Sequence, residues 1–234
     1  MALNARDIKI ESNYERPDPL NPGTYPARLV WVISKGLQAQ KAFQGQEKSP
    51  QLEVYFVYEL LDEFLLDEDG EEIKDKPRFI NETLPLYSLN SDKAKSTLRY
   101  FALDPTEKYK GDWTKLVGTP CMVTITQNKS KTKDIIYNNI SSVQTMRDKD
   151  AKNAPDLVNE PKVFDVDDPD IEMFYSLPEW LQNDIKENLN FGGSILEEKI
   201  ENTPKEQSET KNTKTKKATK TKEVIEENSE DEDW

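Results

Sequence analysis

Arg78-Phe-Ile-Asn-Glu-Thr-Leu-Pro-Leu-Tyr87, then Ser91-Asp-Lys-Ala-Lys-Ser-Thr-Leu-Arg-Tyr-Phe-Ala-Leu-Asp104, then Pro120-Cys-Met-Val-Thr-Ile-Thr-Gln127: these three segments carry the fold. The outer two alternate or run apolar, as strands do when one face is buried. The middle one has a different period. Ser91 suits an N-cap, Ala94, Leu98, Phe101 and Ala102 recur at helical spacing, and Asp104-Pro105 ends the run. A helix over about 91–103 therefore separates two strands. A short turn, Asp112-Trp-Thr-Lys-Leu-Val117, is closed by Gly118 before the second of them.

Upstream, Pro22-Gly-Thr-Tyr25 opens a first strand over about 24–35. Its centre, Ala27-Arg-Leu-Val-Trp-Val-Ile33, is almost continuously apolar, which suits a strand buried on both faces where it bends. Gly36 relieves that bend or ends the strand. A second strand covers about 51–61, with Glu53, Tyr55, Val57 and Glu59 on one side and Val54, Phe56, Tyr58 and Leu60 on the other. An acidic loop follows, and its Asp69-Gly70 is a hairpin-turn signal. Downstream of residue 127, Asn128-Lys-Ser-Lys-Thr-Lys133 is a basic turn into a fifth strand over about 134–144. Three strands, a helix and two strands predict a mainly β chain. The expected fold is a five-stranded OB-type barrel over 22–150, closed so that no sheet edge is left exposed.

The flanks read differently. Residues 1–21 are a polar arm with Pro17 and Pro19. Residues 151–202 begin as an acidic strap holding Pro155, Pro161 and Pro169. They end in a helix opened by the capping box Ser176-Leu-Pro-Glu179 and stopped by Gly192-Gly193. Leu177, Trp180, Leu181, Ile185 and Leu189 give that helix one apolar face, which either docks on the barrel or meets a partner. Residues 203–222 read as a flexible basic linker. Residues 223–234 hold seven acids, end in Trp234 and are expected to be disordered.

Composition narrows the chemistry. The chain has no His and one Cys, Cys121, so it can build neither a Cys/His zinc site nor an internal disulfide. The commonest general base is missing, and no phosphate-binding glycine loop or nucleophile elbow is present. Asp165-Val-Asp-Asp-Pro-Asp170 lacks the glycine and distal acid of a cation loop. A non-enzymatic protein without cofactors is expected. The first residues have no apolar leader core and no stretch reaches membrane-spanning length, so the expected place is the cytoplasm, with no membrane partner.

The net charge is −13, and its distribution matters more than its size. Residues 151–234 account for −11, and residues 1–150 for only −2. Asp62, Glu63, Asp67, Glu68, Asp69, Glu71 and Glu72 are concentrated in one loop, and without them residues 1–150 would sum to +5. A modestly basic face on the barrel is therefore compatible with an acidic chain.

A barrel of this order followed by an acidic, aromatic-ended tail resembles the single-stranded DNA-binding proteins of tailed bacteriophages. Pro22-Gly-Thr-Tyr-Pro-Ala-Arg-Leu-Val30 and Leu177-Pro-Glu-Trp-Leu181 are similar to segments of one group of them. The resemblance implies a protein that coats single strands during phage DNA replication or recombination. It implies too that a tail carrying Glu230, Asp231, Glu232, Asp233 and Trp234 regulates binding and recruits replication proteins such as polymerase or helicase. A homodimer is compatible with this reading. The DNA-contacting candidates combine strand aromatics with nearby cations. They are Trp31, Tyr55, Tyr58, Phe79, Tyr87 and Tyr137, with Lys35, Lys41, Lys48, Arg78, Lys129, Lys131 and Lys133. Each aromatic is equally suited to core packing. The rival reading is an acidic interaction protein or DNA mimic that binds no nucleic acid.

Overall fold

The computed structural model describes residues 17–131 and 135–203, apart from the side chain of Phe43. The fold is mainly β. Strands β1 (Gly23–Phe43), β2 (Gln46–Leu66) and β3 (Glu72–Pro85) are followed by helix α1 (Lys95–Leu103) and a 3-10 turn at Trp113–Leu116. Strands β4 (Pro120–Lys129) and β5 (Ile136–Thr145) complete the main sheet. After a short helix α2 (Asp148–Asn153) come β6 (Lys162–Phe164) and helices α3 (Ile171–Ser176), α4 (Glu179–Lys186) and α5 (Ile195–Glu201).

β1 and β2 run well past the expected ends. Gln44 and Gly45 both take positive φ (51° and 78°), which lets a two-residue turn join Phe43 to Gln46. Gly36 bends β1 without ending it. It has φ +78° at a register shift in the β1–β2 ladder, and a Cβ there would lie 2.4 Å from the Asn188 side chain. That side chain cannot simply withdraw, because its Oδ1 accepts from the Leu37 N–H at 2.9 Å. Gly36→Ala is therefore expected to cost about 1–3 kcal/mol, the usual cost of a side chain held in a sparsely populated backbone region. An unchanged urea midpoint would show that the loop around Asn188 yields freely.

The sheet order is β3-β2-β1-β4-β5, all antiparallel, with β6 added in parallel to the middle of β1. The expected five-stranded closed barrel is thus corrected in two respects: among the described residues the sheet has six strands, and no ladder joins β3 to β5. Side chains span that gap instead. Arg99 of α1 donates to the Glu82 carboxylate of β3 at 2.8 and 3.2 Å and reaches the Ile140 carbonyl of β5 at 3.5 Å. Residues 18–20 make a second bridge. Arg78 of β3 donates to the Asp18 carbonyl, while the Asn138 amide of β5 takes the Leu20 N–H and donates to its carbonyl. Backbone pairing cannot form where a helix and an arm fill the space between two strands.

The same bridge rotates α1. Ser96, Thr97, Arg99, Tyr100 and Leu103 face inward, whereas Leu98, expected on the buried face, is 51% exposed. Holding a buried carboxylate with Arg99 overrides the apolar stripe.

Two cores lie on opposite faces of β1 and β2. The inner one gathers Leu29, Val54, Phe56, Tyr58, Leu60, Tyr100, Cys121, Val123 and Ile125 inside the curve of the sheet. The outer one joins Val30, Trp31, Ile33, Tyr55 and Val57 to Phe164, Phe174, Tyr175, Leu177, Leu181, Ile185 and Leu196. This is why the centre of β1 is apolar without alternation. The expected C-terminal helix docks as α4, which is capped by Pro178 instead of Ser176 and ends at Lys186, ahead of Gly192-Gly193. Ser176 instead ends a separate upstream helix, α3, where its hydroxyl donates to the Met173 carbonyl. Leu189 is 54% exposed.

Candidate nucleic-acid interface

The cross-strand neighbours Arg28 and Glu59 clip the strap to the outer face of β1 and β2. Arg28 donates to the carbonyls of Ala154 and Pro155. The Glu59 carboxylate accepts from the N–H groups of Val158 and Asn159 and from the Asn159 amide. Beyond the clip, the outer core covers the strands on which most aromatic candidates lie.

Those candidates are accordingly corrected. Trp31, Tyr55 and Tyr58 are buried, at 5%, 3% and 0% exposure, and offer no face to a base. Trp31 lies under the Lys162 ammonium, and Tyr55 meets Trp180 edge-on at 5.3 Å. Burial, and after it the neighbouring carboxylates Asp184 and Glu82, push the Tyr55 and Tyr58 hydroxyls well above their ordinary range. Lys35 is spent as well, buried between Glu53 at 3.2 Å and Asp184 at 3.1 Å. Arg78 is half-buried on the Asp18 carbonyl, and Phe79 packs half-buried against the outer core. Tyr87 is exposed, but it stands in the loop ahead of α1. Lys41 and Lys48 lie exposed on the far β1–β2 hairpin. The Cys121 thiol is pushed up to about 12, chiefly by burial, and is an inert core group.

Among the described residues, none covers the outer face of the β4–β5 hairpin. Cys121, Val123 and Ile125 turn into the inner core, so Met122, Thr124, Thr126 and Asn128 turn outward. Their cross-strand partners are Gln144, Ser142, Asn139 and Tyr137. All eight are exposed or half-buried, and none carries a charge. Lys129 and Lys131 stand exposed at the tip; Lys133 and the tail residues Glu230 to Trp234 lie outside the described residues. Residues 113–147 contain five bases and one acid, Asp134, in a chain of net −13. Such a surface suits a polyanion. Hydroxyls and amides can donate to phosphate oxygens, lysines supply charge, and Tyr137 offers a ring.

Register places the acidic loop at the same end of the sheet. Leu60 pairs with Ala27 and Ile125 with Gly23, so the β2–β3 and β4–β5 hairpins both run out past the start of β1, on its two flanks. The acids of one flank disfavour a polyanion there and leave the other flank as its place. The polar residues of the β4–β5 face are legible in the sequence as an alternation free of acids between Met122 and Gln144 apart from Asp134, but apart from Tyr137 they carry no ring that marks a base-binding surface.

Among the described residues, no group of acids and the cysteine could hold a metal ion, and no helix is long and apolar enough to cross a membrane. No protein-family model matches the chain, and no curated protein matches it in sequence.

Proposed function

We propose that this protein binds single-stranded DNA, without catalysing a reaction, on the outer face of the β4–β5 hairpin. The observation that carries the reading is that this acid-poor outer face is exposed on β4 and β5 among the described residues, while the strap covers the outer face of β1 and β2. The strand path supports it: β3-β2-β1-β4-β5 is the path of an OB-type barrel with the β3–β5 join taken over by side chains. On the resemblance to the phage proteins, the role is to coat single strands in DNA replication or recombination. The tail 223–234 competes with DNA for the basic face and recruits a polymerase or helicase.

One anisotropy titration with a labelled single strand over a range of salt tests this. Replacing Lys129 and Lys131 together by Glu is expected to weaken binding and flatten the salt dependence, by about 0.7 in log–log slope for each phosphate no longer neutralised. Tyr137→Ala is expected to cost about 1–3 kcal/mol if the ring stacks on a base. A chain ending at Lys222 is expected to bind more tightly at low salt, where screening is least. Unchanged affinity and slope in the lysine variant would remove the hairpin from the site. No binding to any single strand would favour the acidic mimic, which the seven acids of the β2–β3 hairpin also suit.

A further inference from the structure

The far end of the β1–β2 hairpin leaves the body of the protein. Up to Leu37, β1 is flanked on its second edge by β4, by β6 and finally by Leu189, whose N–H donates to the Leu37 carbonyl at 2.9 Å. β2 regains an outer neighbour at Leu52, whose carbonyl accepts from the Leu86 N–H. Among the described residues, 39–51 pair in the sheet only across this hairpin, as a twisted ribbon closed by Gln44 and Gly45.

The ribbon's chemistry is unlike the rest of the chain. Residues 38–51 hold five glutamines, two lysines and one acid, Glu47. Gln38 and Gln40 point back and are bonded to the body, Gln38 to the carbonyls of Lys35 and Asp184 and Gln40 to the Glu53 carboxylate. Gln44 and Gln46 stand exposed at the tip, with Lys41 and Lys48 exposed behind them. Pro50 has no N–H to give, and it falls where the ladder slips between Gln38 and Gln40. With lysine on both strands, this ribbon is built against pairing with another protein strand. Apart from Phe43 it has no aromatic ring, so it is not a stacking platform for a single strand.

We propose that residues 39–51 are a second DNA-binding element, one that enters the major groove of a duplex adjoining the bound single strand. Two strands about 4.8 Å apart fit a groove about 12 Å wide. Tip glutamines can pair with base edges there, and the lysines meet the flanking phosphates. The inference rests on the proposed single-strand function and gives it a preferred substrate, a single-strand–duplex junction.

The test uses the full chain and three probes: a single strand, the same strand adjoining a duplex of about 12 base pairs, just over one helical turn, and that duplex alone. The junction is expected to bind at least about fivefold more tightly than the single strand, the low end for one good base-edge contact. Lys41→Glu with Lys48→Glu, and separately Gln44→Ala with Gln46→Ala, are expected to abolish that preference and leave single-strand affinity in place. Equal affinity for junction and single strand overturns the ribbon proposal alone. So does an equal weakening on both probes, which makes the ribbon a single-strand contact, or a dimer in light scattering that the substitutions dissolve. Failure to bind the single strand, with ribbon-dependent duplex binding retained, overturns the single-strand function and leaves the ribbon's site standing.

Discussion

A chain ending at Asn153 is expected to lose cooperative unfolding and to aggregate, although all five strands of the main sheet path remain in it. The missing segment supplies Phe164, Phe174, Tyr175, Leu177, Leu181, Ile185 and Leu196 to the outer core. Losing seven buried side chains at about 1.5–3 kcal/mol each is as large as, or larger than, the net stability of a domain, about 5–15 kcal/mol. The truncation also exposes Val30, Trp31, Ile33, Tyr55 and Val57 as one apolar sheet face, which favours association. It strips Glu59 of three donors and Lys35 of Asp184. The measurement is a thermal melt followed by near-ultraviolet circular dichroism. Leu181→Ala is the milder companion, expected to cost about 2–5 kcal/mol. A truncated protein that melts cooperatively at the full-length temperature would show that the strap is an accessory to a self-sufficient sheet.

Arg99→Ala is expected to cost about 3–5 kcal/mol in urea unfolding, as when one partner of a buried ion pair is removed. The Arg99 and Glu82 side chains are only 4% and 11% exposed, and the deletion leaves the carboxylate facing the inner core with only a long hydrogen bond, 3.4 Å, from the Tyr58 hydroxyl. Burial alone would lower the guanidinium pKa, but the hydrogen bond and charge of Glu82 raise it, so the arginine stays charged throughout the working pH range. The cost has a second part, since the pair spans the gap between β3 and β5 and its removal leaves only the bridge through residues 18–20 across it. Replacing both partners, Arg99→Met with Glu82→Leu, is expected to recover most of the stability, because no uncompensated charge remains. A cost below about 1 kcal/mol for Arg99→Ala would mean that the pair behaves like a surface ion pair and does not hold the sheet together.

Trp31 and Tyr55 are covered by the strap, whereas Tyr58 is buried in the inner core of the sheet itself. Trp31, Tyr55 and Tyr58 are aromatic, lie on strands and sit near cations, which describes a base-stacking platform and a packed core equally well. The cation beside Trp31 is Lys162, more than a hundred residues away in the chain, and the ring beside Tyr55 is Trp180. No local pattern announces that a segment following the last strand of the main sheet path will return to cover the first two. Lys35 shows the same effect in charge: its two carboxylate partners come from positions 53 and 184.

Local pattern was enough for the order of the first five strands, the hairpin at Asp69-Gly70, the helix between the third and fourth strands and the concentration of acid in 62–72 and beyond 150, but not for β6, α2, α3 or α5. These follow from periodicity, turn chemistry and counted charge, all of which act over a few residues. That Gly36 bends β1 instead of ending it came from tertiary packing, because the reason is Asn188 lying against it. That β3 and β5 are joined through Arg99 and Leu20 came from the same source, because closure depends on what else enters the gap. Which sheet face is open was also settled there, because a side chain's period says that it leaves the strand on one side, and only the packing of distant segments says what is waiting there.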